Sequence, residues 1–285
     1  MLTIGQPARL ISCLPRGLEM KFDEFKRCLK WIHAEGGMDD VSKTLASVEA
    51  LFLFRHWTLE KLSTFNLLKL KYCLLAECNE METLVDASGP SEYVETRTRD
   101  GEKAGLELLQ YLSIHHMNKL QSIWKGAIAQ DLLKNLVCLT ELIVEDCPKV
   151  ISLISSEYHN VKHGPIFPSL ERIFLLDLSE LVNIFGGLYV LEELNTLLIY
   201  NCLNLRLSIM ELPHINKIEG ENEWWNDLDC DKSPWENIFV PLKKRRYLIE
   251  QLYEATDSLN RFHNIRFEGK TFLRKETSIS YFAFS

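Results

Sequence analysis

The feature that most constrains this chain is an internal repeat in the spacing of its apolar residues. The pattern is L-x-x-L-x-L-x-x-C-x-x-L-x-x-apolar, and six copies begin at residues 48, 70, 109, 139, 170 and 194. The clearest copy is "LTELIVEDCPKVISL", residues 139–153. One copy would be weak evidence because leucine is common, but six copies that share six offsets indicate a fold made of repeated turns of chain.

The spacing within each copy predicts its local structure. The two apolar residues at the fourth and sixth positions alternate with period two, which predicts a short strand with these side chains facing inward. The later apolar positions return the chain across the other side of each turn, and stacked turns would share one continuous core. We therefore predict an α/β solenoid: a leucine-rich repeat array with a curved parallel sheet on the concave face and an irregular or short helical convex side.

The ninth position of the repeat holds a cysteine in three copies, Cys78, Cys147 and Cys202. His56, Met117 and Leu178 take the same place in the other copies. The eight cysteines of the chain form no C-x-x-C pair, and we interpret the repeated cysteine as a small buried apolar side chain rather than a metal ligand or a reactive thiol. No metal site is predicted, and a reduced, intracellular setting is the simplest account.

The repeat divides the chain into segments. Residues 1–47 are a lead-in that includes a degenerate repeat, and 48–220 hold the six copies with a polar insertion at 86–105. Residues 221–235 are predicted to be a C-terminal cap, and 236–285 a partly helical tail.

Two sequence patterns stand out in the C-terminal part. In the cap, Trp224 and Trp225 either cover the last layer of core or form a binding knob. In the tail, Leu248, Leu252 and Ala255 lie at helical spacing.

Several function classes lose support from composition and motifs. A net charge of -8 disfavours a nucleic-acid binder, and no apolar run reaches the roughly 18–20 residues that span a bilayer. The basic run 243–246 is either a nuclear address or a solvated surface cluster.

Neither a phosphate-binding loop nor a hydrolase motif occurs in the sequence. The adjacent His115 and His116 make a poor pair of metal ligands because neighbours on a strand point to opposite faces. We predict no enzyme activity and no catalytic, cofactor-binding or metal-binding residue.

What remains is a surface, the outer face of the predicted sheet, formed by the third, fifth and seventh positions of each copy. Its side chains are mainly apolar or aromatic, and such a patch on a water-facing sheet usually marks a protein contact. The alternative is that flanking segments of the same chain cover it. The predicted contact residues are Phe52, Phe54, Tyr72, Leu74, Tyr111, His115, Ile143, Phe174, Leu176, Leu198 and Tyr200. Charged replacements at Phe174, Leu176 and Tyr200 should abolish the interaction without unfolding the chain.

Three stretches resemble one protein family. The C-P-K-V of 147–150, the stretch "FPSLERIFLLDLSELVNIF" (167–185) and "IEGENEWWNDL" (218–228) are similar to the C-terminal leucine-rich repeats of plant intracellular nucleotide-binding immune receptors of the coiled-coil class. The resemblance covers roughly residues 45–232. It implies recognition of a pathogen effector, a guarded host protein or a companion nucleotide-binding domain. It also implies that this region restrains a nucleotide-binding switch. The expected location is the cytoplasm, with the nucleus as a further one.

The family's nucleotide-binding module is not found in this sequence, so ADP or ATP is expected only in that module of a full-length relative. The alternative interpretation is a leucine-rich repeat substrate-recognition subunit of a ubiquitin ligase, which would need a helical adaptor-binding segment.

Overall fold

The computed structural model describes residues 2–4, 25–32, 44–87, 106–126, 136–155, 164–165, 167–185, 189–208 and 212–242. The described part is built mainly from parallel strands. In chain order they are β1 (Leu2–Ile4), β2 (Cys28–Ile32), β3 (Ala50–Phe54), β4 (Tyr72–Ala76), β5 (Thr83–Ala87), β6 (Tyr111–His115), β7 (Ser122–Gly126), β8 (Glu141–Glu145), β9 (Ile154–Ser155), β10 (Gly164–Pro165), β11 (Arg172–Leu176), β12 (Tyr189–Val190), β13 (Thr196–Tyr200), β14 (Lys217–Gly220) and β15 (Phe239–Pro241).

Ten of these strands form one sheet in the order β1-β2-β3-β4-β6-β8-β11-β13-β14-β15. Each of the six copies of the repeat contributes the strand that begins two residues after its start, so the predicted parallel sheet is confirmed. Neighbouring strands pair without a shift between corresponding repeat positions: Leu142 lies opposite Leu112 on one side and Ile173 on the other. Residues at the same repeat position therefore form straight rows across the sheet.

The rows at the fourth and sixth positions point into the main core. Leu142 and Val144 on β8 are buried there, as are Leu197 and Ile199 on β13. The later apolar positions, such as Val150 and Leu153, join the same cluster from the returning chain. One continuous core thus runs along the described strands, as expected for turns that cannot bury an apolar face alone.

The side opposite the large sheet differs from the sequence prediction. It carries a small parallel sheet, β5-β7-β9, and the pair β10-β12. The helical residues in the described part of the chain are few: residues 44–45, a 3-10 turn, Leu62–Thr64, and the short helix α1, Asn222–Asp227. The predicted short helices are replaced because consecutive return segments are extended and stacked, which lets their backbones pair: the N–H of Ile123 donates to the carbonyl of Leu153 at 2.8 Å.

The large sheet continues past the predicted limits of the repeat at both ends. Strand β2, within the lead-in, pairs with β3 so that Leu29 lies opposite Leu51 and Trp31 opposite Leu53. At the other end, β15 lies within the predicted tail and pairs with β14. The helix predicted around Leu248 lies outside the described residues, and so do residues 88–105 of the polar insertion.

The residue after each repeat strand turns the chain with a left-handed backbone. Asp146 has a φ of 49° and Asn201 a φ of 51°, a region that Asn and Asp tolerate better than most residues. The N–H of Asp146 donates to the carbonyl of Leu176 at 3.0 Å, which ties the turn to the next repeat. Side chains at this position also pair between repeats: Arg55 with Glu77 at 2.6 Å, His116 with Asp146 at 2.7 Å, and Asn201 with Asp177 at 2.9 Å.

The segment that was predicted to be a cap packs one of its two tryptophans into the core. Trp224 on α1 is fully buried, and its Nε1–H donates to the carbonyl of Leu205 at 3.0 Å. A Cβ on Gly220 would lie 2.8 Å from the Trp224 ring, so the glycine is what lets the ring approach. Trp225 is partly buried and stacks on Phe239 with ring centroids 4.1 Å apart. Trp224 therefore covers the last layer of the core and is not an exposed binding knob.

The cysteines at the ninth position lie inside the stack. Cys78, Cys147 and Cys202 are fully buried, and the Cys147 Sγ–H donates to the carbonyl of Glu145 at 3.3 Å. Burial raises the pKa of Cys78 to about 11 and the pKa values of Cys147 and Cys202 to about 12. These thiols stay protonated near neutral pH and are poor nucleophiles and metal ligands.

His56 takes the same position without the partners that an imidazole needs. It is fully buried, and neither ring nitrogen has a hydrogen-bond partner in the part of the chain that the structure describes. Its main aromatic neighbour is Trp31, whose ring meets the imidazole edge-on at 4.7 Å. Burial lowers the pKa of His56, so the folded chain holds the neutral ring.

We expect His56→Leu to raise the free energy of unfolding by about 1 kcal/mol at pH 7, because it removes two buried polar atoms that lack partners. The gain should grow below about pH 6.5. There the unfolded wild-type chain protonates His56 while the folded chain does not, which favours unfolding as the pH falls. Urea titrations of wild type and variant at pH 7.5, 6.5 and 5.5 measure this.

The control is His214→Leu, at an exposed histidine. It should leave both the stability and its pH dependence nearly unchanged. A His56→Leu variant that is less stable than wild type at all three pH values would contradict the account of His56.

Candidate functional site

The outer face of the large sheet brings together all of the contact residues that the sequence predicted. Because the pairing between strands is unshifted, the seventh positions form one row and the fifth positions another. The row at the seventh position reads Phe54, Ala76, His115, Glu145, Leu176 and Tyr200. The row at the fifth position reads Phe52, Leu74, Ser113, Ile143, Phe174 and Leu198.

Most of these side chains form a second apolar cluster that is separate from the main core. We call it the outer cluster. Its buried members are Cys28, Ile32, Ala50, Phe52, Phe54, Tyr72, Leu74, Ala76, Ile143, Phe174, Leu176 and Leu198. The described residues that pack against it while partly buried are Phe25, Tyr111, Tyr200 and Leu242.

The outer face is less exposed than the sequence predicted. Phe174 is 4% exposed and Leu176 2%, and only Tyr111 and Tyr200 among the predicted contact residues remain partly exposed. The expectation that charges at Phe174 and Leu176 would leave the fold intact is therefore wrong, because such charges would be buried without partners. Tyr111 and Tyr200 are the positions at which this face can be tested without burying a charge.

A polar group interrupts the outer cluster at β6. The Ser113 hydroxyl lies 2.6 Å from Nε2 of His115, and Nδ1 of His115 lies 2.8 Å from a carboxylate oxygen of Glu145. All three side chains are buried. His115 is thus part of an internal network rather than a surface histidine, whereas His116 is partly exposed and pairs with Asp146.

Ser113 and Glu145 were not among the predicted contact residues, although the repeat places both on the outer face. Ser113 and His115 are two apart on one strand and share a face. Glu145 occupies the same repeat position one copy later, so the unshifted pairing places it opposite His115. The aligned seventh positions already place a histidine next to a carboxylate, but their contact was not predicted.

The order of atoms in this group is that of a nucleophilic triad, in which a hydroxyl contacts Nε2 and a carboxylate contacts Nδ1. Such a triad also needs free donors beside the serine to stabilise an oxyanion. Strand β6 lies between β4 and β8, so its backbone N–H groups are used by the sheet. The geometry supports a buried network that fixes three side chains on the outer face.

A second polar pair lies at the edge of the same face. Arg172 on β11 donates from Nε to a carboxylate oxygen of Glu141 on β8 at 2.9 Å. Together with Ser113, His115 and Glu145, this pair places polar side chains on β6, β8 and β11 beside the apolar members of the outer cluster.

The other side of the described structure holds a cleft of about 510 Å³ beside β5 and β7. Four of the charged side chains at the cleft form two ion pairs: Lys61 with Asp86 at 2.6 Å and Lys119 with Glu80 at 2.7 Å. No group of His, Cys, Asp or Glu within the described ranges could hold a metal ion. In the same ranges, no helix has the length and apolar character to cross a bilayer.

Comparison with known proteins leaves the family open. No protein-family model matches the chain, and no curated protein matches it.

Proposed function

We propose that this chain is a leucine-rich repeat solenoid that serves as the protein-recognition region of a plant intracellular immune receptor. The repeat spacing, the one-strand-per-copy sheet and the unshifted pairing support the solenoid. The C-P-K-V, F-P-S-L-E-R and G-E-N-E-W-W stretches support the family. The outer face is the proposed contact surface.

The observation that carries this proposal is the outer cluster. A repeat array needs apolar side chains only on the inner side of its sheet, where the turns stack. Here the outer side carries a second apolar cluster that includes Phe52, Phe54, Phe174 and Leu198. A second apolar surface on a sheet is stable only when another layer contacts it, and protein interfaces are rich in aromatic side chains of this kind.

The resemblance suggests three kinds of partner: a pathogen effector, a guarded host protein or a companion nucleotide-binding domain. ADP and ATP would then act in that companion domain, whose phosphate-binding loop this sequence does not contain. The cytoplasm is the proposed site of action, and the nucleus a further one if the basic run 243–246 is an address. No enzyme activity is part of the proposal.

The test uses Tyr111→Ala and Tyr200→Ala in the full chain, with the purified nucleotide-binding domain of a coiled-coil-class receptor as the binding partner. Both tyrosines border the outer cluster and are partly exposed. We expect the double variant to weaken binding at least about tenfold, since tyrosine is among the residues whose truncation at an interface commonly costs more than about 1 kcal/mol. Isothermal titration calorimetry measures the dissociation constants.

Trp57→Ala is the matched control, because Trp57 is an exposed aromatic residue outside the repeat strands. It should bind as wild type does. Equal affinity of the folded double variant and the wild type would remove the outer face from the proposal. Binding of ubiquitin-ligase scaffold proteins instead of the nucleotide-binding domain would favour the substrate-recognition alternative.

A further inference from the structure

The last described strand delivers the chain to the outer face. After β15, the N–H of Leu242 donates to the carbonyl of Gly220 at 2.8 Å, and the Leu242 side chain packs against the outer cluster. Leu242 is the last described residue, and 43 residues, 243–285, follow it. That segment therefore starts on the surface that the outer cluster forms.

The burial of the outer cluster calls for a covering layer. Side chains on the outer side of a single sheet keep part of their surface in water unless a second layer packs over them. Phe52 and Phe54 are each 2% exposed and Ile143 is 2% exposed. Among the described elements, the strands of the large sheet make their main contacts with neighbouring strands, and no described helix forms that layer.

The sequence of residues 243–285 has the properties that such a layer requires. It contains nine Lys and Arg and five Asp and Glu, a net charge of +4, so the remainder of the -8 chain carries -12. Its apolar residues Leu248, Ile249, Leu252, Tyr253 and Ala255 follow helical spacing. Apolar anchors on a cationic segment suit an apolar face on an acidic body.

The length is also sufficient. Ten strands spaced about 4.8 Å apart make a sheet about 43 Å across. A helix of about 16 residues covers roughly 24 Å of that distance. The rest of a 43-residue segment can reach the far strands in an extended form.

We propose that residues 243–285 dock on the outer face of their own chain, with Leu248 and Leu252 against the outer cluster. This inference goes beyond the proposed function, because it concerns a contact within one chain.

The direct test is photo-crosslinking in the full chain. Benzoylphenylalanine replaces Tyr200 in one variant and Tyr111 in another, because both are partly exposed at the outer cluster. After irradiation of dilute protein, mass spectrometry should find the crosslinks from both positions in peptides of 243–285. Ile151, which is 54% exposed beside the cleft on the other side, is the control position and should give no such peptide.

Crosslinks from both outer-face positions to residues 5–24 instead would overturn the proposal and assign the cover to the segment before β2. Crosslinked dimers as the main product would assign it to a second copy. An absence of crosslinks would also overturn it. None of these results depends on an immune partner, so failure here is distinguishable from failure of the proposed function.

A second measurement tests the anchor residues. Leu248→Glu with Leu252→Glu should release the segment and raise the fluorescence of the dye ANS, which binds exposed apolar surface, at least about twofold. Gln251→Glu with Ser258→Glu adds the same charge at positions away from the apolar stripe and should leave ANS fluorescence at the wild-type level. Equal ANS fluorescence in both double variants would contradict the proposed anchors.

Discussion

The Leu142→Asp variant should fail to fold. Leu142 lies at the fourth repeat position in the middle of the large sheet, between Leu112 and Ile173, and it is 1% exposed. A carboxylate at this position would be buried without a partner at a cost of several kcal/mol. Domains are stable by only about 5–15 kcal/mol. Circular dichroism and size-exclusion chromatography should show loss of the sheet and aggregation.

Leu108→Asp is the matched control, since Leu108 is 44% exposed one residue before the start of the third copy. It should give soluble protein with an unchanged urea midpoint. A Leu142→Asp protein that is soluble and unfolds cooperatively would contradict the inward assignment of the fourth position.

Trp224→Ala should reduce the free energy of unfolding by about 3–5 kcal/mol, the range for removing a large buried aromatic side chain. The substitution empties the space above Gly220 and leaves the carbonyl of Leu205 without the indole donor. Urea denaturation followed by circular dichroism measures the loss. The slope of the transition should stay constant if the remaining turns still unfold together.

Trp57→Ala removes the same side chain from an exposed position, where 44% of its surface faces water. We expect it to change stability by less than about 0.5 kcal/mol. If the two tryptophan variants lose equal stability, Trp224 does not close the core as the structure indicates.

The strands of the repeat could be predicted because their signal is local. Alternating apolar residues such as Leu142 and Val144 specify a strand and its buried side. The burial of Cys147 follows from the Met and Leu that replace it in other copies. Each of these inferences needs only residues within one copy or a comparison between copies.

Other parts of the structure depend on contacts between distant residues. The β5-β7-β9 sheet forms because return segments stack on each other, and a stretch such as Ser122–Gly126 carries no clear alternation of its own. The network of Ser113, His115 and Glu145 requires the pairing of two strands about 30 residues apart. The burial of Phe174 depends on what packs against the outer face of the sheet, and the spacing of apolar residues along the chain does not indicate this.

The absence of a shift between paired strands has a consequence for how such a chain can change. The copies begin 22 to 39 residues apart, yet Leu51, Cys73 and Leu112 still align across their strands. Additions or deletions between strands thus leave the geometry of the face intact. Lineages of this chain can remodel their connecting loops, or gain and lose whole turns, while the spacing of the side chains presented to a partner stays constant.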